Sequence, residues 1–315
     1  MTKVAIIGLG NMGFGMCANL LESGLHTCAY DLNPDAVERA ESYGAVATTS
    51  VIDAVSQVDF VVTMLPAGDH VLDVYFGVDG IASNAAPGTV FIDCSTIAVD
   101  HAREAHERAS KLGFGMIDAP VSGGVSAAKA GKLTFMVGGE TDVFEHAHRI
   151  LGAMGETIIH AGAAGNGQVA KIANNMLLGV SMIATSEAFC LAQKLGLDAQ
   201  TFFDISSKAS GQNWSMTSYC PAPGPVPAAP SNRDYEAGFA VDMMLKDMRL
   251  ARSAALQSGT HAQLGALSAM IYETMSQDGL GAKDFSVIMD EIAKASKLGT
   301  MMQADPNIAS ADYER

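Results

Sequence analysis

Cysteine and basic residues are scarce in this 315-residue sequence, and both shortages exclude classes of protein. The five cysteines are odd in number, widely spaced and without a C-x-x-C pair, which indicates reduced thiols and a cytosolic setting. Lys and Arg number 19 against 34 Asp and Glu, giving a net charge of −15. This balance disfavours nucleic acid and anionic membranes as partners, because phosphate binding needs clustered cations. An anionic ligand must therefore be held by a local site.

Long hydrophobic runs are also missing. No charge-free apolar stretch reaches 18 residues, so we expect no membrane span. The opening MTKVAIIGLG passes from one lysine into a short strand-like run, without the features of a signal peptide. A length of 315 residues with 49% hydrophobic and 17% charged residues fits a soluble globular protein of two domains.

The first half alternates between short Val/Ile-rich runs and helix-like segments. Strands are predicted at residues 4–7, 27–30, 58–64, 90–93, 115–118 and 134–137, with a helix at 99–111. Such alternation predicts right-handed βαβ units and a mainly parallel, doubly wound sheet of Rossmann type. We therefore assign residues 1–163 to an α/β dinucleotide-binding domain.

The second half is helical and rich in Ala, Leu and Met. A long helix is predicted at about 165–195, and residues 164–298 are assigned to an all-α domain that this helix joins to the first. The segment YCPAPGPVPAAP at 219–230 holds five of the ten prolines, so we expect an extended loop there. Residues 299–315 are polar and lose periodicity, which is typical of a flexible tail.

The first chemical motif is Gly8-Leu9-Gly10-Asn11-Met12-Gly13, between a predicted strand and a predicted helix. The glycines permit a tight turn, close approach to a pyrophosphate and close packing of helix on strand. Asp31 follows 18 residues after Gly13 and is placed to accept hydrogen bonds from ribose hydroxyls, which favours NAD over NADP. A glycine turn with a helix-capping Asp is the alternative, and Asn33 and Arg39 leave room for both cofactors.

A second motif is the glycine-rich segment that begins at Ser122, after the predicted strand 115–118. Exposed amides of Ser122, Gly123 and Gly124 can bind a small carboxylate, although an ordinary turn has the same composition. The segments Leu65-Pro66 and Asp93-Cys94-Ser95-Thr96 also follow strands, and the second segment could be merely a helix cap. Ligands of open α/β sheets bind beyond these carboxyl ends.

The third motif lies on the long helix. Gln168, Lys171 and Asn175 are spaced i, i+3 and i+7, so they share one face, with Asn174 beside it. A solvated lysine is the commoner explanation. The neighbouring asparagines instead favour a polar stripe that faces a cleft between the two domains. His146 and His148 are two residues apart on a helix, so no metal site is predicted.

These motifs together resemble the β-hydroxyacid dehydrogenase family over residues 3–295, through VAIIGLGNMG, MLPAGDH, FIDCST, DAPVSGG, GNGQVAKIANN and LKDMRLA. The resemblance implies a Rossmann domain, a helical domain, NAD as cofactor, and dimers or tetramers. The segment from 221 to 251 is most similar to members that oxidise 3-hydroxyisobutyrate in valine breakdown.

The resemblance also assigns roles to residues. It implies that Lys171 is the catalytic acid/base, with a pKa lowered by desolvation and neighbouring positive charge, and that Asn175 binds substrate. It places the substrate carboxylate on Ser122, Gly123 and Gly124. The cofactor contacts that it implies are Leu65, Pro66, His70, Thr96 and Lys246.

Other functions remain open at this point. A tartronate semialdehyde or short-chain aldehyde reductase, or a serine dehydrogenase, would share every catalytic motif. A 6-phosphogluconate dehydrogenase is disfavoured because the chain is too short for the large helical domain of that enzyme. An inactive cofactor-binding scaffold is disfavoured because Lys171 is retained.

Overall fold

Short, mostly apolar runs form the strands of a single sheet in the first part of the chain. A computed structural model describes the backbone of residues 2–303 and the side chains of residues 2–296. The strands are β1 Lys3–Ile7, β2 His26–Tyr30, β3 Val46–Ala47, β4 Phe60–Thr63, β5 Val90–Asp93, β6 Gly115–Asp118, β7 Val121–Ser122, β8 Leu133–Gly138 and β9 Gly155–Gly162.

The sheet is mainly parallel, as predicted. Its order is β3-β2-β1-β4-β5-β6-β8-β7, with β9 paired to β8. The strands from β1 to β6 are parallel, whereas β8 runs antiparallel to β6 and β7. The chain reverses its direction of winding between β1 and β4, which is the position where doubly wound sheets bind dinucleotides.

Eight helices connect these strands, and they have apolar inner faces. They are α1 Asn11–Glu22, α2 Pro34–Ser42, α3 Val51–Val55, α4 Gly68–Phe76, α5 Ile81–Asn84, α6 Val99–Lys111, α7 Gly124–Lys129 and α8 Thr141–Met154. In α6 the buried residues are Ala102, Ala105 and Ala109, whose small side chains let the helix pack close to the sheet. A larger side chain at Ala105 would overpack this contact, at a cost of about 1–3 kcal/mol.

Six of the nine strands are predicted from the sequence, namely β1, β2, β4, β5, β6 and β8, and three are missed. The predicted strand 58–64 begins only at Phe60, and β3, β7 and β9 are not predicted. Two of the missed strands have two residues each, too few to show a period. The third, β9, is largely exposed or half-buried and carries register shifts against β8, so it lacks a clear apolar pattern.

The remaining elements of the described residues are helical, and six of them are α-helices. They are α9 Asn166–Lys194, α10 Ala199–Ser206, α11 Trp214–Thr217, α12 Val241–Ser258, α13 Gln263–Met275 and α14 Ile288–Gln303. The chain forms two compact units, which divide after Asn174 within α9; the predicted boundary at 163/164 stays a prediction. Residues 299–303 of the predicted tail continue α14, and residues 304–315 lie outside the described part of the chain.

Helix α9 is long and apolar enough to cross a membrane by composition alone, and 44% of its most apolar window is buried. Core helices of soluble proteins pass the same test. Met182 and Phe189 of α9 are fully buried in the core of the second unit, which accounts for part of its apolar character.

The Pro-rich segment is an irregular loop, and hydrogen bonds join its two ends. The Ser231 hydroxyl donates to the carbonyl groups of Cys220 and Ala222, and the Tyr235 hydroxyl donates to the carbonyl of Pro221. The backbone of Asp234 and Tyr235 is left-handed, with φ of 47° and 52°. The loop is therefore held in a defined shape within the second unit.

Candidate active site

The glycine-rich loop after β1 contains two glycines that have no room for a Cβ and one that has open space. Gly8 has φ of +95°, and a Cβ there would lie 2.4 Å from the Met64 carbonyl oxygen. A Cβ on Gly13 would lie 1.9 Å from the carbonyl oxygen of Gly8. Both positions require glycine for the packing of the protein itself. Gly10, by contrast, has no positive φ, and no heavy atom lies within 4 Å of the point that a Cβ would occupy.

The open space at Gly10 fits a bound dinucleotide. A methyl group there would meet nothing in the protein, so packing does not explain the glycine, and its predicted role in the approach of a pyrophosphate stays a prediction. Gly10 immediately precedes α1, whose N-terminus carries partial positive charge. Asn11 is exposed and Met12 is half-buried in the first turn of this helix.

Asp31, at the end of β2, fixes the position of the glycine-rich loop. Its carboxylate accepts hydrogen bonds from the amides of Leu9, at 2.6 Å, and Asn33, at 2.8 Å. It does not cap α2, because the Asn33 side chain performs that role. Arg39 donates to the Leu9 carbonyl and lies 3.8 Å above the ring of Phe14 in α1. The guanidinium group that could have bound the 2′-phosphate of NADP therefore has partners within the protein.

The loops after β4 and β5 are joined by Ser95. Its hydroxyl accepts from the Leu65 amide at 2.8 Å and donates to the Asp93 carboxylate at 2.6 Å. The same carboxylate oxygen accepts from the Thr63 hydroxyl. Asp93 therefore does not cap a helix, since α6 begins six residues later at Val99. Burial raises the pKa of Asp93 to about 6, against the lowering effect of these hydrogen bonds.

The predicted carboxylate site follows β7. Ser122 is the last residue of this strand, and Gly123 and Gly124 both have positive φ, of 125° and 68°. A Cβ on Gly123 would lie 2.5 Å from the Cβ of Ala127. The turn therefore depends on glycine, and it brings the amides of this segment to the start of α7.

The first turn of α9 is anchored by Asp118, a residue to which sequence analysis gave no role. One carboxylate oxygen accepts from the Gly165 amide at 2.8 Å and lies 3.0 Å from His106 Nε2. The other accepts from the Gln168 amide at 3.0 Å. A carboxylate at the N-terminus of a helix satisfies amides that lack partners and complements the helix dipole.

Gln168 connects this turn to the loop after β5. Its side-chain amide donates to the Ser95 carbonyl at 2.8 Å, and its oxygen accepts from the Ile97 amide at 3.0 Å. Gln168 is fully buried. Its side chain thus holds the residues on both sides of Thr96, so it does not belong to a substrate-facing stripe as its spacing had indicated.

Lys171 and Asn175 lie four residues apart on α9 and are both buried, with 7% and 1% of their surface exposed. This excludes the solvated lysine that was the alternative explanation. A buried polar group is costly unless it is paired or used. The Lys171 side chain is therefore part of the protein interior.

In the second unit, Asn175 contacts a residue that sequence analysis did not single out. Its side-chain amide donates to Asp247 Oδ2 at 2.5 Å, and Lys246 Nζ lies 3.4 Å from Asp247 Oδ1. Asp247 is 2% exposed. The signal was present in the sequence, since Asp247 directly follows the predicted site residue Lys246.

Two predicted cofactor contacts lie at the surface of the first unit. Pro66 is exposed in the loop after β4, and His70 is exposed in the first turn of α4. Thr96 is half-buried between the two residues that Gln168 holds. These three assignments stay predictions.

Comparison with known proteins identifies both parts of the chain. Residues 3–162 match the family profile of the NAD binding domain of 6-phosphogluconate dehydrogenase, and residues 165–292 match that of the NAD-binding region of NADP-dependent 3-hydroxyisobutyrate dehydrogenase. Residues 3–162 therefore form a NAD-binding domain, as the glycine-rich loop had indicated.

Relatives and a solved structure cover nearly the whole chain. The NAD-dependent L-serine dehydrogenase of Pseudomonas aeruginosa is 44% identical, over 91% of this chain and 97% of that protein. The human mitochondrial 3-hydroxyisobutyrate dehydrogenase is 42% identical, over 91% and 85%. The structure of Mycobacterium tuberculosis 3-hydroxyisobutyrate dehydrogenase with L-serine has a TM-score of 0.89 at 44% identity, over 93% and 99%. With these matches and its fold, the chain belongs to the β-hydroxyacid dehydrogenase family of oxidoreductases.

Proposed function

We propose that the protein catalyses the NAD-dependent oxidation of 3-hydroxyisobutyrate to methylmalonate semialdehyde. The observation that carries this proposal is the buried Lys171 on α9, in a chain whose first unit is a NAD-binding domain. The choice of substrate is supported by the relatives named 3-hydroxyisobutyrate dehydrogenase, at 42% to 45% identity.

Each proposed role follows from the chemistry of the residue. The amides and hydroxyl of the segment Ser122 to Gly124 bind the substrate carboxylate, and Asn175 binds the substrate through its side-chain amide. Lys171 Nζ accepts the proton of the primary hydroxyl as the C–H bond breaks, and returns it in the reverse direction. NAD, when bound, would supply the acceptor for the hydride that leaves that carbon. A positioned acid/base contributes about 10²–10⁴ in rate.

L-Serine is the second candidate substrate. It carries the same carboxylate and primary hydroxyl, with an ammonium group in place of the methyl group. Two observations favour it: the 44% identity to an L-serine dehydrogenase, and the L-serine in the related M. tuberculosis structure.

Initial rates with 3-hydroxyisobutyrate, L-serine and glycerate, each with NAD and with NADP, separate these activities. No turnover of 3-hydroxyisobutyrate would overturn the first assignment, and a preference for NADP would overturn the role of Asp31.

The catalytic role is tested by Lys171→Ala and by Lys171→Met, which keeps the length of the side chain without its charge. We expect kcat to fall at least 100-fold in both, with NADH binding retained. Lys194→Met, at the other end of the same helix, is the control and should keep normal turnover. Near-normal kcat in a folded Lys171 variant would exclude the proposed acid/base.

We further propose a cytosolic homodimer or homotetramer. All five cysteines are free thiols, which supports a reducing compartment. Helix α13 exposes Leu264, Leu267 and Met270, with 65%, 53% and 59% of their surfaces accessible. Light scattering coupled to gel filtration measures the oligomeric state, and a monomer at micromolar concentration would contradict this proposal.

A further inference from the structure

The side chain of Gln168 has partners that a substrate-binding residue would not have. Both of its polar atoms are bonded to backbone groups that flank Thr96, 71 and 73 residues earlier in the chain. The arrangement imitates a short backbone pairing, in which one amide satisfies a carbonyl and an N–H of the same loop. The residue is fully buried, so water does not replace these bonds when they are broken.

Gln168 also lies where two anchors of α9 meet. Its backbone amide donates to Asp118, at the end of β6, and its side chain holds the loop after β5. Lys171 follows three residues later, about 4.5 Å along the helix axis. The position of the lysine relative to the loop of Thr96 therefore depends on the side-chain bonds of Gln168 as well as on the Asp118 anchor.

The loop held by Gln168 is connected in turn to the loop after the neighbouring strand β4. Ser95 accepts a hydrogen bond from the Leu65 amide and donates to Asp93, so the loops after β4 and β5 are joined. Leu65 and Thr96 are the predicted cofactor contacts in these loops. A shift of α9 against them would change the distance between the acid/base and the reacting carbon.

We propose that Gln168 is a positioning residue, which sets Lys171 against the cofactor-binding loops through its bonds to Ser95 and Ile97. This inference rests on the proposed role of Lys171. It differs from a purely structural role, because it predicts a defect in hydride and proton transfer beyond any loss of stability. A displacement of about 1 Å in such a site costs about 100-fold in rate.

The first test is Gln168→Met, which fills the same space without hydrogen bonds. We expect kcat to fall tenfold to 100-fold. The affinity for NADH, from fluorescence titration, should stay within threefold, because the glycine-rich loop is untouched. The deuterium isotope effect on kcat, measured with substrate labelled at the carbinol carbon, should rise because the chemical step becomes slower than product release.

The matched control is Thr89→Val. The Thr89 hydroxyl is buried and donates to the Val58 carbonyl before β4 and β5 begin, so the variant also leaves a buried carbonyl without its partner. It should lower the thermal midpoint by a similar amount but leave kcat and the isotope effect unchanged. A Gln168→Met enzyme that loses stability and keeps normal kcat and isotope effect would overturn the inference.

A second variant, Gln168→Glu, tests the same bonds if the methionine variant does not fold. A protonated glutamic acid can donate to the Ser95 carbonyl and accept from the Ile97 amide, whereas the carboxylate can only accept. The ratio of its kcat to that of wild type should therefore rise as pH falls, and a ratio independent of pH would contradict the proposal. If Lys171→Met were fully active, the proposed role of Lys171 would fail; if only the Gln168 variants were normal, this inference alone would fail.

Discussion

The contrast between Gly10 and Gly13 leads to a pair of opposite predictions. In Gly13→Ala, the new Cβ lies 1.9 Å from the Gly8 carbonyl oxygen, where real contacts are no shorter than 3.0 Å. The loop must open by about 1 Å, and overpacking of this kind costs about 1–3 kcal/mol. We expect the thermal midpoint of the first unit, without cofactor, to fall by several degrees.

In Gly10→Ala, the protein itself meets no obstacle. The backbone φ is −59° and no heavy atom lies within 4 Å of the new carbon. Stability should change by less than about 1 kcal/mol, and the loss of chain entropy in the unfolded state favours a small gain. The methyl group instead fills the space that the pyrophosphate approaches, so the affinity for NADH should fall at least tenfold, or about 1.4 kcal/mol.

Two measurements distinguish these outcomes. Differential scanning calorimetry without cofactor reports stability, and NADH fluorescence titration reports affinity. Gly211→Ala is the control, because its Cβ also has no neighbour within 4 Å and its φ is not positive; it should change neither quantity. Normal NADH binding by Gly10→Ala, or a normal thermal midpoint in Gly13→Ala, would refute the reasoning.

Two further predictions concern buried carboxylates. Asp247→Ala removes the acceptor of the Asn175 amide. Because hydrogen bonds to charged groups contribute about 1.5–3 kcal/mol, kcat/KM for the hydroxy acid should fall roughly tenfold to 100-fold. A change in kcat/KM below twofold would contradict this. Asp93 has its pKa raised from 3.8 to about 6 by burial, so its contribution to stability is complete below pH 3.8 and is lost as pH rises through 6. Urea titrations should therefore show that the free energy of unfolding of the wild type falls by up to about 3 kcal/mol between pH 4 and 7, relative to that of Asp93→Asn. Equal pH slopes of the two proteins would exclude Asp93 as the cause.

The sequence predicts those elements best whose own residues show the complete burial pattern of the element. The strand β5 has the predicted bounds 90–93 and α6 the predicted bounds 99–111. Each residue of β5 is buried, and α6 carries alanines inside and charged residues outside. By contrast, β7 is specified by its pairing with β8, a contact with residues 12 to 14 positions away that no local period records.

The candidate site divides in the same way. Gly8, Gly13 and Asp31 could be read from their spacing, because the turn, the helix and the strand that they require are neighbours in the chain. The contacts of Asp118 with Gly165 and of Gln168 with Ser95 span 47 and 73 residues. They depend on which strands become neighbours in the sheet, and only the folded topology decides that.

The polar residues of α9 show what spacing alone leaves undetermined. Gln168, Lys171 and Asn175 share a helical face, and in an apolar helix each must have a partner or a task, because an unpaired buried polar group costs several kcal/mol. For Gln168 the partners are backbone groups of its own unit, and for Asn175 the partner is the carboxylate of Asp247. Of the three polar residues on this face, Gln168 therefore binds backbone groups of its own unit, and Asn175 binds the buried carboxylate of Asp247. On the proposal above, the acid/base chemistry rests on Lys171, and Gln168 sets the position of its amine.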